Sequence, residues 1–125
     1  MNFLAFILIH SHNGKKPNQD RILLYYNENE NLILAGIFDG HGINGHTIAS
    51  FIRESFFISF IQLLNNNQFS IDLKIEKALQ MAIQNLQNDT SINSKRSGCT
   101  ASILFFHFNQ QNNLIINSLN IGDSE

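Results

Sequence analysis

The chain has one cysteine, one proline and no tryptophan in 125 residues, and only 14 % of it is Asp, Glu, Lys or Arg. The single cysteine, Cys99, excludes an internal disulfide and a cysteine-rich zinc site. It fits a reducing compartment. A net charge of −2 gives no basic footprint for nucleic acid. The pairs Lys15-Lys16 and Lys95-Arg96 read as solvated loop charges. No uncharged apolar run approaches the ~20 residues that a membrane span needs. The apolar start, "MNFLAFILIHSH", has no Lys or Arg ahead of it and no small-residue cleavage site. It therefore reads as a buried strand and not a signal peptide, and a cytoplasmic or nuclear location is expected.

Apolar residues are plentiful: 43 % of the chain is hydrophobic, including eleven phenylalanines. That is enough for a core and too much for a disordered chain. Asn and Gln cluster in "LLNNNQF", "QNLQND" and "FNQQNN", where they read as polar filler. Strands are expected at 2–10, 21–26, 32–38, 99–108 and 113–123, from their β-branched and aromatic content. The polar "NENEN" makes 21–26 and 32–38 a hairpin. A helix is expected over 46–64, with Ile48, Ile52, Phe56, Phe60 and Leu64 at i+4 spacing and Ala49, Phe57 and Ile61 widening the stripe. So wide a face needs cover from both a sheet and a second helix. The second helix is expected over 70–87, capped by Ser70. Strands, two helices, then strands indicate an α+β layer and not alternating βαβ units.

"FDGHG" (38–42) follows an apolar run. Asp39 then stands at the exposed end of a buried strand, on a rigid support. Gly40 would let the backbone turn, so that its carbonyl faces the same point as the Asp39 carboxylate. Oxygen ligands of this kind suit a hard cation such as Mg2+ or Mn2+. His41 could move a proton near neutral pH. The competing reading is an ordinary strand-to-helix turn. "KKPNQD" shifts the balance, because hairpin geometry sets Asp20, at the start of one strand, beside Asp39, at the end of the other. Two carboxylates brought together share a proton or a cation. Lys15 and Lys16 could bring positive charge to a phosphate there. Asp123, in "NIGDSE", also follows an apolar strand and by itself reads as a turn residue.

"GKKPNQD", "FDGHG", "SGCTA" and "NIGDS", in this order and spacing, resemble the metal-dependent PP2C-type (PPM) serine/threonine protein phosphatases. The resemblance runs from about Gly14 to the end of the chain. It implies that Asp39 bridges two Mn2+ or Mg2+ ions and that Gly40 binds one of them through its carbonyl. It implies that Asp20 lies beside the metal pair, that Lys15 holds substrate phosphate, and that His41 is a general acid to the leaving alkoxide. Asp123 would serve a weaker third metal. "SGCTA" would be structural, so Cys99 is not expected to be a nucleophile. The implied reaction has no phosphoenzyme: a water bridging metals roughly 3.5–4 Å apart attacks phosphorus in line. Phosphorylated proteins are the implied substrates.

The family fold is an antiparallel β-sandwich flanked by helices, about twice this length. Residues 1–125 are expected to be the N-terminal part of one such domain, a half with about five strands and two long antiparallel helices, truncated before the C-terminal metal-binding motifs. Gln19 stands where many relatives carry a glutamate near the metal, and Glu125 where Arg or Lys is usual. Two functions follow: a phosphatase, or a catalytically inactive truncated relative that acts as a binding module.

Overall fold

The computed structural model describes residues 2–7 and 18–122. Five strands form one antiparallel sheet in chain order: β1 (Asn2–Ile7), β2 (Asp20–Asn27), β3 (Leu32–His41), β4 (Gly98–Phe108) and β5 (Leu114–Ile121). Two helices, α1 (Gly45–Leu64) and α2 (Ile71–Asn88), are inserted between β3 and β4. α1 lies across β2, β3 and β4, and α2 packs along α1. A connection of residues 65–70 makes the helix pair antiparallel. The fold is α+β, as expected. β3 runs three residues past the expected end at Phe38, through Asp39, Gly40 and His41.

Side-chain alternation divides the sheet. Leu23, Tyr25, Leu34, Phe38, Ile103 and Phe105 lie on the face that carries the helices and are buried. The i+4 stripe of α1 meets them: Ile48, Ile52, Phe56, Phe60 and Leu64 are all buried. Phe56 packs against Phe38 with ring centroids 6.2 Å apart and stacks on Phe60 at 6.0 Å. Each such ring contributes about 1.5–3 kcal/mol by burial. α1 is long and apolar enough to cross a bilayer, by length and composition. Here its apolar stripe is used against the sheet and α2.

α2 begins as its sequence foretells, with the Ser70 hydroxyl accepting the Leu73 N–H at 3.3 Å. Lys74 is buried, and its ammonium donates to the Leu64 carbonyl at 2.6 Å. That bond satisfies an otherwise orphaned carbonyl at the C-terminus of α1 and places positive charge at the negative end of the helix.

The opposite face of the sheet is different. Ile33, Ile37, Leu104, Phe108, Leu114 and Ile116 alternate onto it and stand 40–56 % exposed. Antiparallel sheets often leave one face to water, but that face is then polar. This one carries mostly apolar side chains, with Ser102, Ser118 and Asn120 among them, and Asp20, Asp39 and His41 stand at one end of it.

Candidate active site at one end of the sheet

Asp20 and Asp39 are paired residues in the β2–β3 ladder. Both are exposed, and both lie on the face away from the helices. The Asp20 carboxyl is raised above its ordinary value, first by burial, then by the hydrogen bond that its protonated form donates to Asp39 and by the charge of Asp39, with Arg21 opposing. A hydrogen bond between two carboxyls requires a proton on one of them, and a cation placed between them would relieve the same repulsion. The expectation that the two acids share one edge of the sheet is met by register alone.

The start of α1 is pressed against this end. Gly40 donates its N–H to the Gln19 carbonyl at 3.0 Å. A Cβ on Gly40 would overlap the Gly45 carbonyl and approach the Gln19 oxygen to 2.9 Å. Gly40 is therefore needed for space. The sequence reading gave it a turn, but its backbone remains in the extended ladder, opposite Cys99. The turn itself falls at Gly42, whose φ of 85° is left-handed.

Gln19 also has a local task. Its amide Nε2 donates to the Gly42 carbonyl at 2.6 Å. It thus ties the loop down. Arg21, on the helix-facing side of β2, was not singled out from the sequence. Its guanidinium bonds to Ser50 Oγ at 2.7 Å and to the carbonyls of Asn18 and Asp20 at 2.8 and 2.9 Å. This anchors the start of β2 to α1. The odd–even parity that it shares with Leu23 and Tyr25 is the signal that could have found it.

His41 ends β3 on the same face as Asp39 and pairs with Gly98. A Cβ at position 98 would lie 2.9 Å from His41 Nε2 and 3.0 Å from Cε1. The glycine of "SGCTA" thus leaves the room that the imidazole fills. The serine of the same motif holds the glycine loop: Ser97 Oγ accepts the Asn44 N–H at 3.0 Å, and Asn44 Nδ2 donates to the Asn93 carbonyl at 2.8 Å. Cys99 is pushed up to about 11 by burial and by the charge of Asp39. A thiol held so far above neutrality is a poor nucleophile.

Asp20, Asp39, Gly40 and His41 are therefore gathered at one end of the sheet. Lys15 and Asp123 lie outside the described residues. Among the described residues, no group of three or more His, Cys, Asp or Glu side chains is placed to hold a metal. The Asp20–Asp39 pair supplies two carboxylates, the hard oxygen donors that Mg2+ and Mn2+ prefer.

No protein-family model matches the chain. Curated proteins do. The chain is 31 % identical over 135 aligned residues to "Probable protein phosphatase 2C 41" of Arabidopsis thaliana, with 95 % of the chain and 37 % of that protein covered. With "Probable protein phosphatase 2C 33" of the same plant it shares 29 % over 98 residues, which covers 75 % of the chain and 19 % of the relative. A rice protein, "Probable protein phosphatase 2C 14", is 46 % identical over 44 residues, 33 % of the chain and 8 % of its own length. The chain spans well under half the length of each.

Proposed function

This chain being of the PP2C type, we propose that it carries part of the active site of a metal-dependent protein serine/threonine phosphatase. One observation carries the reading: Asp20 and Asp39 are ladder partners on one face, with His41 two residues further along that face. Asp39, Asp20 and the Gly40 carbonyl would hold the divalent cations, and Asp123 would serve a weaker third ion. Mg2+ or Mn2+, when bound, supplies charge neutralisation at the phosphoryl oxygens and acidifies water. The protein's own contribution is placement. The ladder fixes the two carboxylates, the Gln19 and Ser97 bonds hold the glycine loop, and Gly98 seats the imidazole of His41. His41 then gives a proton to the departing serine or threonine oxygen. Lys15 attracts the substrate phosphate as a point charge.

The fold belongs to the same proposal. A second antiparallel sheet covers the exposed apolar face and completes a sandwich. Support comes from the 53 %, 45 % and 56 % exposure of Ile37, Leu104 and Ile116, a patch of the kind that soluble domains cover. Because the acids stand at the end of that face, a covering sheet would also enclose them and bring further ligands.

The test is hydrolysis of an aryl phosphate and of a phosphothreonine peptide by the purified chain, with Mn2+ and with chelator. Mn2+-dependent turnover that Asp39→Ala abolishes is the expected result. Full activity in Asp39→Ala would refute the site. The second reading, a non-catalytic binding module, draws on the small ligand set among the described residues. It predicts metal-independent peptide binding and no turnover.

A further inference from the structure

Two exposed cations are bolted to the glycine loop, and nothing so far gives them a task. We propose that the turn Asn93–Ser97 is a substrate-recognition rim, on which Lys95 and Arg96 select phosphopeptides with acidic residues flanking the phosphorylated position. The ligand's phosphate is taken from the phosphatase reading above. The flanking preference is new.

The sequence has eight Lys and Arg residues. Lys15 and Lys16 lie outside the described residues. Arg21 is spent on Ser50 and two carbonyls. Arg53 is buried on α1, Lys74 caps that helix, and Lys77 sits over the Phe69 ring at 5.0 Å. Lys95 and Arg96 remain, both exposed. Neither has an ion-pair partner among the described residues. Their connection is the end of the sheet that carries the acids.

That connection is rigid. A Cβ on Gly42 would overlap the Arg96 carbonyl and stand 2.6 Å from Ser97 Oγ, so the two backbones touch. Asn44 bonds to both Asn93 and Ser97, at either side of the cations. Within the turn, Asn93 Oδ1 accepts the Lys95 N–H at 3.0 Å, and the Ser94 carbonyl accepts the Ser97 N–H at 3.2 Å. Arg96 adopts a left-handed φ of 59°, uncommon for a residue other than glycine and held here by these bonds. The only acid in the preceding loop, Asp89, is occupied at its far end by the N–H of Ser91 at 2.9 Å. The rim is thus positive while the site beside it holds two acids. A peptide with acidic flanks would be repelled by Asp20 and Asp39, and the rim offsets that repulsion at the flanks. Arg adds a planar fork suited to carboxylates.

Binding decides this without turnover. Fluorescein-labelled phosphothreonine peptides with acidic or uncharged flanks are titrated with the full chain, in Mn2+ and at two salt concentrations, and anisotropy is read. The acidic-flank peptide is expected to bind roughly tenfold tighter, with a preference that shrinks as salt rises. The double variant Lys95→Gln/Arg96→Asn should lose the preference and keep the uncharged-flank affinity. Asn tolerates the left-handed backbone, and an unchanged melting temperature shows that the turn is intact. A preference that survives in the double variant, or a wild-type chain that favours neither peptide or binds none, overturns the proposal. Loss of Mn2+-dependent hydrolysis alone would count against the catalytic reading and leave the flank preference standing.

Discussion

Asp20 and Asp39 are paired across the β2–β3 ladder, with both carboxyls exposed on the same face of the sheet. The pair is unfavourable when both acids are ionised. Burial and Asp39 raise the Asp20 carboxyl, so the folded chain binds that proton more tightly than the unfolded chain does. The resulting stability is fully present below the unfolded value and is lost as pH rises through the folded one.

Asp39→Asn removes the charged neighbour and leaves the burial, with Arg21 opposing it. At pH 7 in chelator the variant is expected to melt roughly 1–3 °C higher than wild type, a small gain because both acids are exposed. At acid pH, where the Asp20 carboxyl already carries its proton in wild type, the gap should narrow. Saturating Mn2+ should raise the melting temperature of wild type and leave the variant unchanged. Calorimetry at the two pH values reads all three outcomes.

Gly40 should tolerate no side chain. In Gly40→Ala the methyl meets backbone on both sides, the Gly45 carbonyl and the Gln19 carbonyl, and neither can rotate away. A loss of about 2 kcal/mol or more is expected in urea unfolding. Gly36→Ala is the comparison. Its methyl would meet the Phe38 ring at 3.0 Å, a side chain that can shift, so its cost should be clearly smaller.

The Cys99 thiol, pushed up to about 11, should resist modification. Relative to an ordinary cysteine it carries roughly a hundredfold less thiolate at pH 8. A disulfide reagent should therefore react slowly with the folded chain and rapidly in denaturant. Asp39→Asn, which takes away the neighbouring charge, should modestly speed the folded reaction.

The apolar outer face should reveal itself to an environment-sensitive dye. Ile37→Thr, Leu104→Thr and Ile116→Thr together are expected to reduce dye binding and self-association. All three residues are 45–56 % exposed, so the melting temperature should change little. A large fall in melting temperature would mean that this face is already packed in solution.

Much of this architecture could be read from patterns. The i+4 repeat from Ile48 to Leu64 marked α1 and its buried side, because a helical period fixes which residues share a face. Ser70 marked the start of α2. Polar turns set the hairpin, and the hairpin put Asp20 beside Asp39. What eluded the sequence was non-local. Gly40 looked like a turn residue because glycine's two uses, freedom of φ and absence of volume, leave the same letter. The loop-holding bonds of Gln19 and Ser97 were not legible, since their partners, Gly42 and Asn44, are 23 and 53 residues away in the chain.

By itself the sequence determined the periodicities, the turns and the ordered motifs, and with them an α+β layer and a pair of acids at one end of a hairpin. Only the tertiary structure decided that the helices cover a single face, that the acids stand on the other, and that the Lys95–Arg96 turn borders them. Local periodicity fixes which side of an element is apolar. Which neighbour covers that side, and which loops meet across a ladder, depends on contacts between residues far apart in the chain, and no local pattern encodes them.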